Sequence, residues 1–414
     1  MLWAEVPPHF LFAAACGVTI GAAPFAHCRH TVDQSMAYHG KIHDASAEVH
    51  MTDPLTLACQ LIELRTDPDN TPALAAALAI VAAELSDFTV EYFERAGAHS
   101  LLAYVGQTRP VRFGVLLNGH IDVIPGDPAH YHAHVAGDRL SGIGAVDMKA
   151  NLAVLIDVFR RCAHQTKYPL GLQIVSDEEV GGFNGTLLQR ESGVMADVVL
   201  SGESTGFDIV NRAKSISWYR CTIRGTTAHG AYPWQGTNAL LLAQAFIDRL
   251  LTQFPTPTSN AWCTTVNVAG IDTHTFAFNK VPDTVTVSLD IRSTPGDHAT
   301  LPMVLAALLP EGATIETVVD EPAMETSPDH AALTLLKITT EAVLGTPVTF
   351  RPAMGSSDAR HYATTGAACI EFGPLGHGIA TPDESTSIHG LGLYRTILEK
   401  FLMDYSTNTE STLT

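Results

Sequence analysis

Short apolar runs alternate with longer helix-like segments along most of the chain, and this alternation constrains the fold more than any other feature. Runs at 112–118, 170–175 and 197–200 have the length and composition of buried strands, while 72–85 and 149–164 are rich in helix-forming residues. A β-α-β-α order of this kind produces a mostly parallel sheet with helices on both faces. The sequence therefore predicts an α/β fold.

The pattern changes in the middle of the chain. Residues 285–292, VTVSLDIR, alternate strictly between apolar and polar side chains, as in a strand with one exposed face, and 215–225 is similar. The helical pattern then returns and continues almost to the end. A chain of 414 residues is long enough for two domains. We therefore expect a larger domain from 51–212 and 321–408, interrupted by a smaller α+β domain at 213–320.

Residues 1–50 lack this organisation. Their apolar stretch at 10–26, FLFAAACGVTIGAAPFA, is marginal in length for a membrane span. No lysine or arginine precedes it, whereas a signal peptide usually begins with basic residues. We interpret 1–50 as an extension outside the folded core, and export by an atypical signal is the alternative.

Charge and cysteine content exclude some classes of partner. Acidic residues outnumber basic ones by 43 to 24, so the net charge of −19 argues against nucleic acid or an anionic membrane as partner. The seven cysteines are odd in number and form no CxxC pair, which argues against a disulfide framework. The cysteine pattern favours a reducing compartment, and we therefore expect a cytoplasmic protein.

Polar clusters follow the predicted strands, at the edge where open α/β sheets bind ligands. The first cluster, GHID, places His120 and Asp122 two residues apart, so both side chains share one face of an extended segment. The imidazole can then bind a metal while the carboxylate orients it. Taken alone, the pair is equally consistent with a loop histidine and a turn aspartate.

Three further clusters are acidic. Asp147 precedes a predicted helix, Glu178 and Glu179 belong to the run DEE after a strand, and Glu203 follows the next strand. An N-cap aspartate and a solvated acidic turn are the ordinary interpretations of the separate motifs, yet carboxylates this close are costly unless cations neutralise them or one is protonated. Imidazole and carboxylates without thiolates together predict a hydrolytic site for Zn²⁺, Co²⁺ or Mn²⁺, in which two ions can share a carboxylate.

The ordered motifs GHID, DMKA, DEEVGG and SGES carry a specific resemblance. Over nearly all of 51–402 the chain resembles the metallopeptidase family of succinyl-diaminopimelate desuccinylase, acetylornithine deacetylase, aminoacylase and glutamate carboxypeptidase. The resemblance implies a hydrolase with one or two Zn²⁺ per subunit that cleaves an amide bond in a small N-acyl amino acid or peptide with a carboxylate. It also implies a catalytic α/β domain and an inserted lid domain, through which two subunits form a homodimer.

The resemblance further implies roles for individual residues. The implied metal ligands are His120, Asp147, Glu179 and Glu203, with Asp147 bridging two ions. Glu178 corresponds to the general base, Asp122 to the partner of the ligating imidazole, and His229 to a histidine that stabilises the oxyanion, often in the partner subunit's site. The positions that correspond to substrate-binding residues are Asn279, Arg292, Gly355, Ser356 and Arg360.

The last motif departs from the family. Where the family has a histidine ligand of the second metal, the segment GHGIATPDESTSIHG has Ala380. A methyl group cannot bind a metal, so we expect the second ion to bind weakly, or through a replacement ligand or water. His361, His377 and His389 are the nearby candidates for a replacement.

Two other functions compete with the metallohydrolase. The residues 202–206, GESTG, fit the G-x-S-x-G pattern of a serine hydrolase, but that pattern requires a helix next, and the following FDIVNRAKSISWY has the composition of extended chain. The loss of the family histidine at Ala380 instead suggests a non-catalytic or weakly active paralogue that binds a metal or ligand. An intact Glu178 argues against that alternative.

Overall fold

The computed structural model describes residues 52–273 and 276–406, so the interpretation of 1–50 lies outside the described residues. The helices are α1 (Pro54–Ile62), α2 (Thr71–Glu84), α3 (Lys149–Cys162), α4 (Thr186–Glu191), α5 (Ala239–Gln253), α6 (Pro295–His298), α7 (Leu301–Leu308), α8 (Ala331–Leu344) and α9 (Ile388–Asp404). The strands are β1 (Thr89–Arg95), β2 (Ala98–Tyr104), β3 (Phe113–His120), β4 (His134–Ala136), β5 (Arg139–Ser141), β6 (Leu170–Val175), β7 (Ala196–Ser201), β8 (Ile209–Ala213), β9 (Ile216–Arg224), β10 (Thr265–Asp272), β11 (Thr284–Arg292), β12 (Thr314–Glu321), β13 (Met324–Glu325), β14 (Phe350–Ala353), β15 (Ala368–Glu371), β16 (Gly376–His377) and β17 (Ser385–Ser387).

The largest sheet has the strand order β1-β2-β6-β3-β7-β15-β8-β13, with β14 beside β8. Its centre is parallel, because β3 pairs in parallel with β6 and β7, and β7 pairs in parallel with β15. Every residue of β3 and β6 is buried, as expected for strands covered on both faces. The predicted α/β fold with a mostly parallel, helix-covered sheet is confirmed.

Two apolar cores lie on opposite faces of this sheet. One joins α1, α2, α3, α8 and α9 to residues such as Leu117 and Leu200. The other includes Leu116 and Val199, which are the alternate residues of the same strands, and it is closed by the turn Asp358–Tyr362. The alternation of adjacent side chains between two cores explains why these strands are continuously apolar in sequence.

A separate antiparallel sheet with the order β10-β11-β9-β12 is built from the middle of the chain. Strand β11 alternates half-buried and buried residues along its whole length. Its buried side chains pack against Phe246 and Leu250 of α5 and against Leu305 of α7. The helices therefore cover one face of this sheet, and we call the other its helix-free face.

The connections between the two sheets lie side by side. The chain leaves the large sheet after β8 and returns to it at β13, and these strands pair antiparallel with Met324 opposite Ala213. In the described residues, no helix combines the length and the apolar composition needed to cross a membrane.

Candidate metal centre

His120 is the last residue of β3 and is buried, with 1% of its surface exposed. Its Nδ1 lies 2.9 Å from the backbone carbonyl of Asp122 and 3.5 Å from the Asp122 carboxylate. With these acceptors at Nδ1, Nε2 faces the other way and is the ring nitrogen that a metal could reach. There Nε2 is 3.0 Å from Oδ1 of Asp147 and 3.8 Å from Oε1 of Glu203.

The register of the sheet explains this convergence. His120 stands opposite Val175, and Asn118 stands opposite Ser201, so β3, β6 and β7 end at the same edge. The turn that carries Glu178 and Glu179 begins shortly after β6, and Glu203 follows β7 directly. Ligand atoms of His120, Asp147 and Glu179 lie within 4.8 Å of one another, and Glu203 approaches the same imidazole. The predicted metal ligands are thus brought together.

Asp122 also fixes the turn after β6. Its Oδ2 accepts a hydrogen bond of 2.9 Å from the backbone N–H of Glu179. The carboxylate of Glu179 in turn accepts a hydrogen bond of 3.2 Å from the backbone N–H of Ile124. The two loops are therefore cross-linked in both directions, which orients Glu178 and Glu179 relative to His120.

Glu384 supports the loop of Asp147, and no role was predicted for it. Its buried Oε1 accepts hydrogen bonds from the backbone N–H groups of Gly144 and Val146, both at 2.9 Å, and of Asp147 at 3.3 Å. The sequence feature that marks it is the glutamate of TPDE, in the segment where Ala380 replaces the family histidine. The carboxylate of Glu384 thus holds three backbone amides of the loop that carries the candidate metal ligand Asp147.

The pKa values of the clustered groups indicate a site that stabilises a positive charge. Burial raises the pKa of Glu203 well above its ordinary value, and the neighbouring Asp147 raises it further. Burial likewise raises the pKa of Glu178 well above its ordinary value and that of Glu179 to about 7. Burial alone would lower the pKa of His120, but its contacts with Asp122 and Asp147 raise it well above the usual value.

This donor set fits a divalent metal. Carboxylates whose partial burial opposes ionisation, beside an imidazole that favours a proton, form a site in which a positive charge is strongly stabilised. A cation at Nε2 of His120 would replace that proton and neutralise the carboxylates. Imidazole nitrogen with carboxylate oxygens is a typical ligand set for Zn²⁺ and related ions.

A cavity of about 380 Å³ adjoins the cluster. Glu178 and Glu179 line it from the large sheet, and Arg292 lines it from the smaller sheet. Ser356 also lines it, and the buried hydroxyl of Ser356 has no hydrogen-bond partner among the described residues, which leaves it open to a bound molecule. Gly355 is exposed next to it.

Arg360 lines the cavity but is held by the protein. Only 1% of its surface is exposed, and its Nη1 and Nη2 donate to the backbone carbonyls of Ser357 at 2.9 Å and Gly181 at 2.5 Å. Its Nε lies 3.6 Å from Oε2 of Glu321. Arg360 therefore connects the turn after Glu179 to the end of β12.

His229 and Asn279 lie elsewhere on the smaller sheet's domain. Both are exposed, and the backbone N–H of Gly230 donates to the carbonyl of Asn279 at 2.7 Å. His229 also forms an isolated β-bridge with Lys280. The two residues are therefore brought together, but neither lines the cavity at Glu178.

The serine-hydrolase pattern has no matching structure. The segment after GESTG forms strands β8 and β9 rather than a helix. The hydroxyl of Ser204 donates to the carbonyl of Val146 at 2.8 Å and accepts from Asn151 at 3.0 Å. Ser204 is thus a structural residue of the Asp147 loop, and a nucleophile elbow is excluded.

The chain matches known proteins over most of its length. The model of peptidase family M20/M25/M40 matches residues 116–404. The chain belongs to this family. It is 29% identical over 381 residues to a succinyl-diaminopimelate desuccinylase of Xanthomonas campestris pv. campestris (strain 8004), an alignment that covers 85% of this chain and all of that protein.

Solved structures of the M20/M25/M40 fold are also similar. Aminopeptidase PepT from Bacillus cereus ATCC 10987 superposes with a TM-score of 0.68 at 19% identity, covering 84% of this chain and 98% of that one. An M20 family metallo-carboxypeptidase from Sulfolobus solfataricus gives a TM-score of 0.65 at 16% identity, covering 85% and 99%. These similarities establish a shared fold.

In the described residues of this M20/M25/M40 protein, none of the three candidate histidines belongs to the group of possible metal ligands formed by His120, Asp147 and Glu179. Both ring nitrogens of His361 are engaged, Nε2 with the carbonyl of Gly181 at 3.0 Å and Nδ1 with Glu321 at 3.2 Å. His377 ends the exposed strand β16, and His389 is exposed in the first turn of α9. Ala380 itself is exposed and has a left-handed backbone, with φ of 56°.

Proposed function

We propose that this M20/M25/M40 hydrolase cleaves an amide bond in a small substrate that carries a carboxylate, either an N-acyl amino acid or a peptide. The observation that carries the proposal is the convergence of His120, Asp147 and Glu203 on one site together with the half-buried Glu179, next to the half-buried Glu178. The succinyl-diaminopimelate desuccinylase and the metallo-carboxypeptidase are named for reactions of this class, which supports the proposal.

Zinc is the metal that we propose, with Co²⁺ or Mn²⁺ as substitutes. His120, Asp147 and Glu203 would hold the first ion, and Asp147 with Glu179 would hold a second, weaker one because Ala380 offers no ligand. When bound, the metal supplies Lewis-acid polarisation of the amide carbonyl and lowers the pKa of water.

Glu178 is the proposed general base. It is flanked by buried acidic groups, and its raised pKa makes it able to accept a proton and to hold it. Its carboxylate removes a proton from the water that attacks the amide carbon. The same proton then passes to the amine as the carbon–nitrogen bond breaks, which yields a carboxylate and a free amine.

Residues of the smaller sheet's domain would position the substrate. The Nε and Nη2 of Arg292 are engaged with Asp290, which leaves Nη1 for a substrate carboxylate. We propose the same contact with substrate for Ser356 and, through its exposed backbone, for Gly355. Arg360 would act through the turn that it holds.

We further propose that residues 51–212 and 321–408 form the catalytic domain and that 213–320 form a lid through which two subunits dimerise. Because His229 and Asn279 are exposed away from the cavity of their own subunit, they would complete the site of the partner, with His229 stabilising the oxyanion. The five cysteines that the structure describes are free thiols, which supports a cytoplasmic location.

The replacement Glu178→Gln tests the function. We expect turnover of N-acyl amino acids and dipeptides to be abolished while zinc binding, measured by titration against a chelating dye, stays nearly intact. The matched control is Glu316→Gln, which removes an exposed carboxylate on β12 and should leave both properties unchanged. Near-normal turnover of Glu178→Gln would contradict the assignment.

A second test separates the enzyme from a non-catalytic paralogue. The wild-type chain loaded with zinc or cobalt is assayed against a broad panel of N-acyl amino acids and dipeptides, and EDTA should abolish the hydrolysis. An absence of hydrolysis across the panel, with metal bound, would favour the binding protein.

A further inference from the structure

The helix-free face of the smaller sheet forms one wall of the cavity at Glu178. Because side chains alternate along a strand, Ile216 and Trp218 of β9 share this face. The register places Asp290 and Val319 on either side of Trp218. Trp218, Ile216 and Val319 all line the cavity together with Glu178 and Glu179.

A second row of the same face lies nearer to the large sheet. Glu321 of β12 pairs with Ile216, and Arg292 ends β11, two residues beyond Asp290 and on the same face. Cβ atoms of neighbouring strands on one face are about 5 Å apart. A group attached next to a carboxylate at Arg292 would therefore lie over Ile216 and Trp218.

The two cations of the cavity, Arg292 and Arg360, are largely paired within the protein, and Nη1 of Arg292 is left for one substrate carboxylate. Arg292 bonds to both oxygens of Asp290, at 2.8 and 3.2 Å, and the buried Arg360 lies 3.6 Å from Glu321. Glu178 and Glu179 line the same space. A second negative charge on the substrate would meet an excess of acidic groups and lose the solvation of its own charge.

Apolar surface is instead left open on this wall. Trp218 is 43% exposed, which is high for a large aromatic ring, and Val180 and Phe183 face the cavity from the turn after Glu179. Exposed apolar surface in a concave site is typical of a pocket for an apolar group of the ligand.

We propose that Trp218 and Ile216 form a specificity pocket for an aromatic or branched apolar side chain, adjacent to the single carboxylate of the substrate. The preferred substrates are therefore N-acyl derivatives or dipeptides in which the residue that bears the free carboxylate is phenylalanine-like or leucine-like. The proposal rests on the proposed amide hydrolysis. It separates this chain from relatives named for succinyl-diaminopimelate, whose leaving group carries charged atoms on its side chain.

The test compares substrates that differ only in that side chain. The full-length zinc enzyme is assayed with N-acetyl-L-phenylalanine, N-acetyl-L-alanine and N-acetyl-L-glutamate, and with N-succinyl-diaminopimelate. We expect kcat/KM for the phenylalanine derivative to exceed that for each of the others by ~10-fold or more, since apolar pockets discriminate by this order.

The variant Trp218→Ala should lower kcat/KM for N-acetyl-L-phenylalanine by ~10- to 100-fold and change that for N-acetyl-L-alanine by less than about threefold. Trp218→Phe should retain most of the preference. Met303→Ala removes an apolar side chain from α7, on the helix-covered side of the same sheet, and should leave both substrates unaffected because that residue is 70% exposed. The alanine substrate reports folding within the same experiment.

The outcomes separate the two proposals. Hydrolysis without preference for the aromatic substrate, preference for the glutamate or succinyl-diaminopimelate substrate, or an unchanged preference in Trp218→Ala would overturn the specificity pocket and leave the amide hydrolase standing. No hydrolysis of any N-acyl amino acid or dipeptide would overturn the proposed function itself.

Discussion

Glu384 offers a sharp test of how the protein supports a metal ligand. In Glu384→Gln the side chain keeps its shape and one acceptor oxygen but loses its charge. In the wild type, three backbone amides donate to Oε1 of Glu384, at 2.9, 2.9 and 3.3 Å. Hydrogen bonds to a charged acceptor contribute ~1 kcal/mol more than those to a neutral one, so the loop of Asp147 should be held about 3 kcal/mol less firmly.

Only part of this lost stabilisation should weaken metal binding, because Ser204 and Asn151 also hold the loop. Replacing groups that orient metal ligands typically weakens metal binding by ~10- to 100-fold. We therefore expect the zinc dissociation constant of Glu384→Gln to rise by that factor, with a lower melting temperature of the metal-free protein. Competition with a chromogenic chelator and thermal unfolding measure the two effects.

Asp383→Asn is the matched control. It makes the same change from carboxylate to amide at the neighbouring residue, whose side chain is exposed. Its zinc affinity should equal that of the wild type. A dissociation constant for Glu384→Gln within twofold of wild type, or an equal loss in Asp383→Asn, would refute the reasoning.

Three further perturbations have defined outcomes. Burial raises the pKa of Glu371 to about 7, so its contribution to stability is full below pH 4.5 and is lost as the pH rises through 7. Between pH 5 and 8, the unfolding free energy of Glu371→Gln in urea should therefore fall less than that of the wild type, by up to ~3 kcal/mol. Equal pH slopes of the two proteins would refute this. Gly182→Ala should cost ~2–4 kcal/mol of unfolding free energy, because φ is 63° there and a Cβ would collide with Asp358, and a cost below about 1 kcal/mol would contradict that contact. Ala380→His should raise the zinc content towards two ions per chain in metal analysis, whereas an unchanged content would show that Ala380 does not stand at the second site.

Most of the candidate metal ligands could be predicted from the sequence because the carboxyl ends of neighbouring parallel strands lie at the same edge of the sheet. His120 ends a buried strand, Glu179 and Glu203 each follow one, and the register of β3 with β6 and β7 aligns those strand ends. Once the strands are recognised in the sequence, the parallel sheet brings the residues at their carboxyl ends to the same edge.

Features that depend on distant pairing were not predictable in this way. Glu384 meets the Asp147 loop across more than 230 residues, and no local pattern indicates that a carboxylate will return there. Arg360 lies in a motif associated with substrate, yet its guanidinium turns inward to the carbonyl of Gly181. The neighbours of Trp218 follow from strand register, which alternation alone does not determine.

The adjacency of Ala213 and Met324 has a consequence for how such enzymes diversify. Since the two residues face each other across one antiparallel pair, everything between them begins and ends at a single point of the large sheet. Residues 214–323 can therefore change in length and sequence without altering the order of the remaining strands. The whole segment can therefore be exchanged, in evolution or by engineering, to change the substrate specificity while the residues around His120 stay the same.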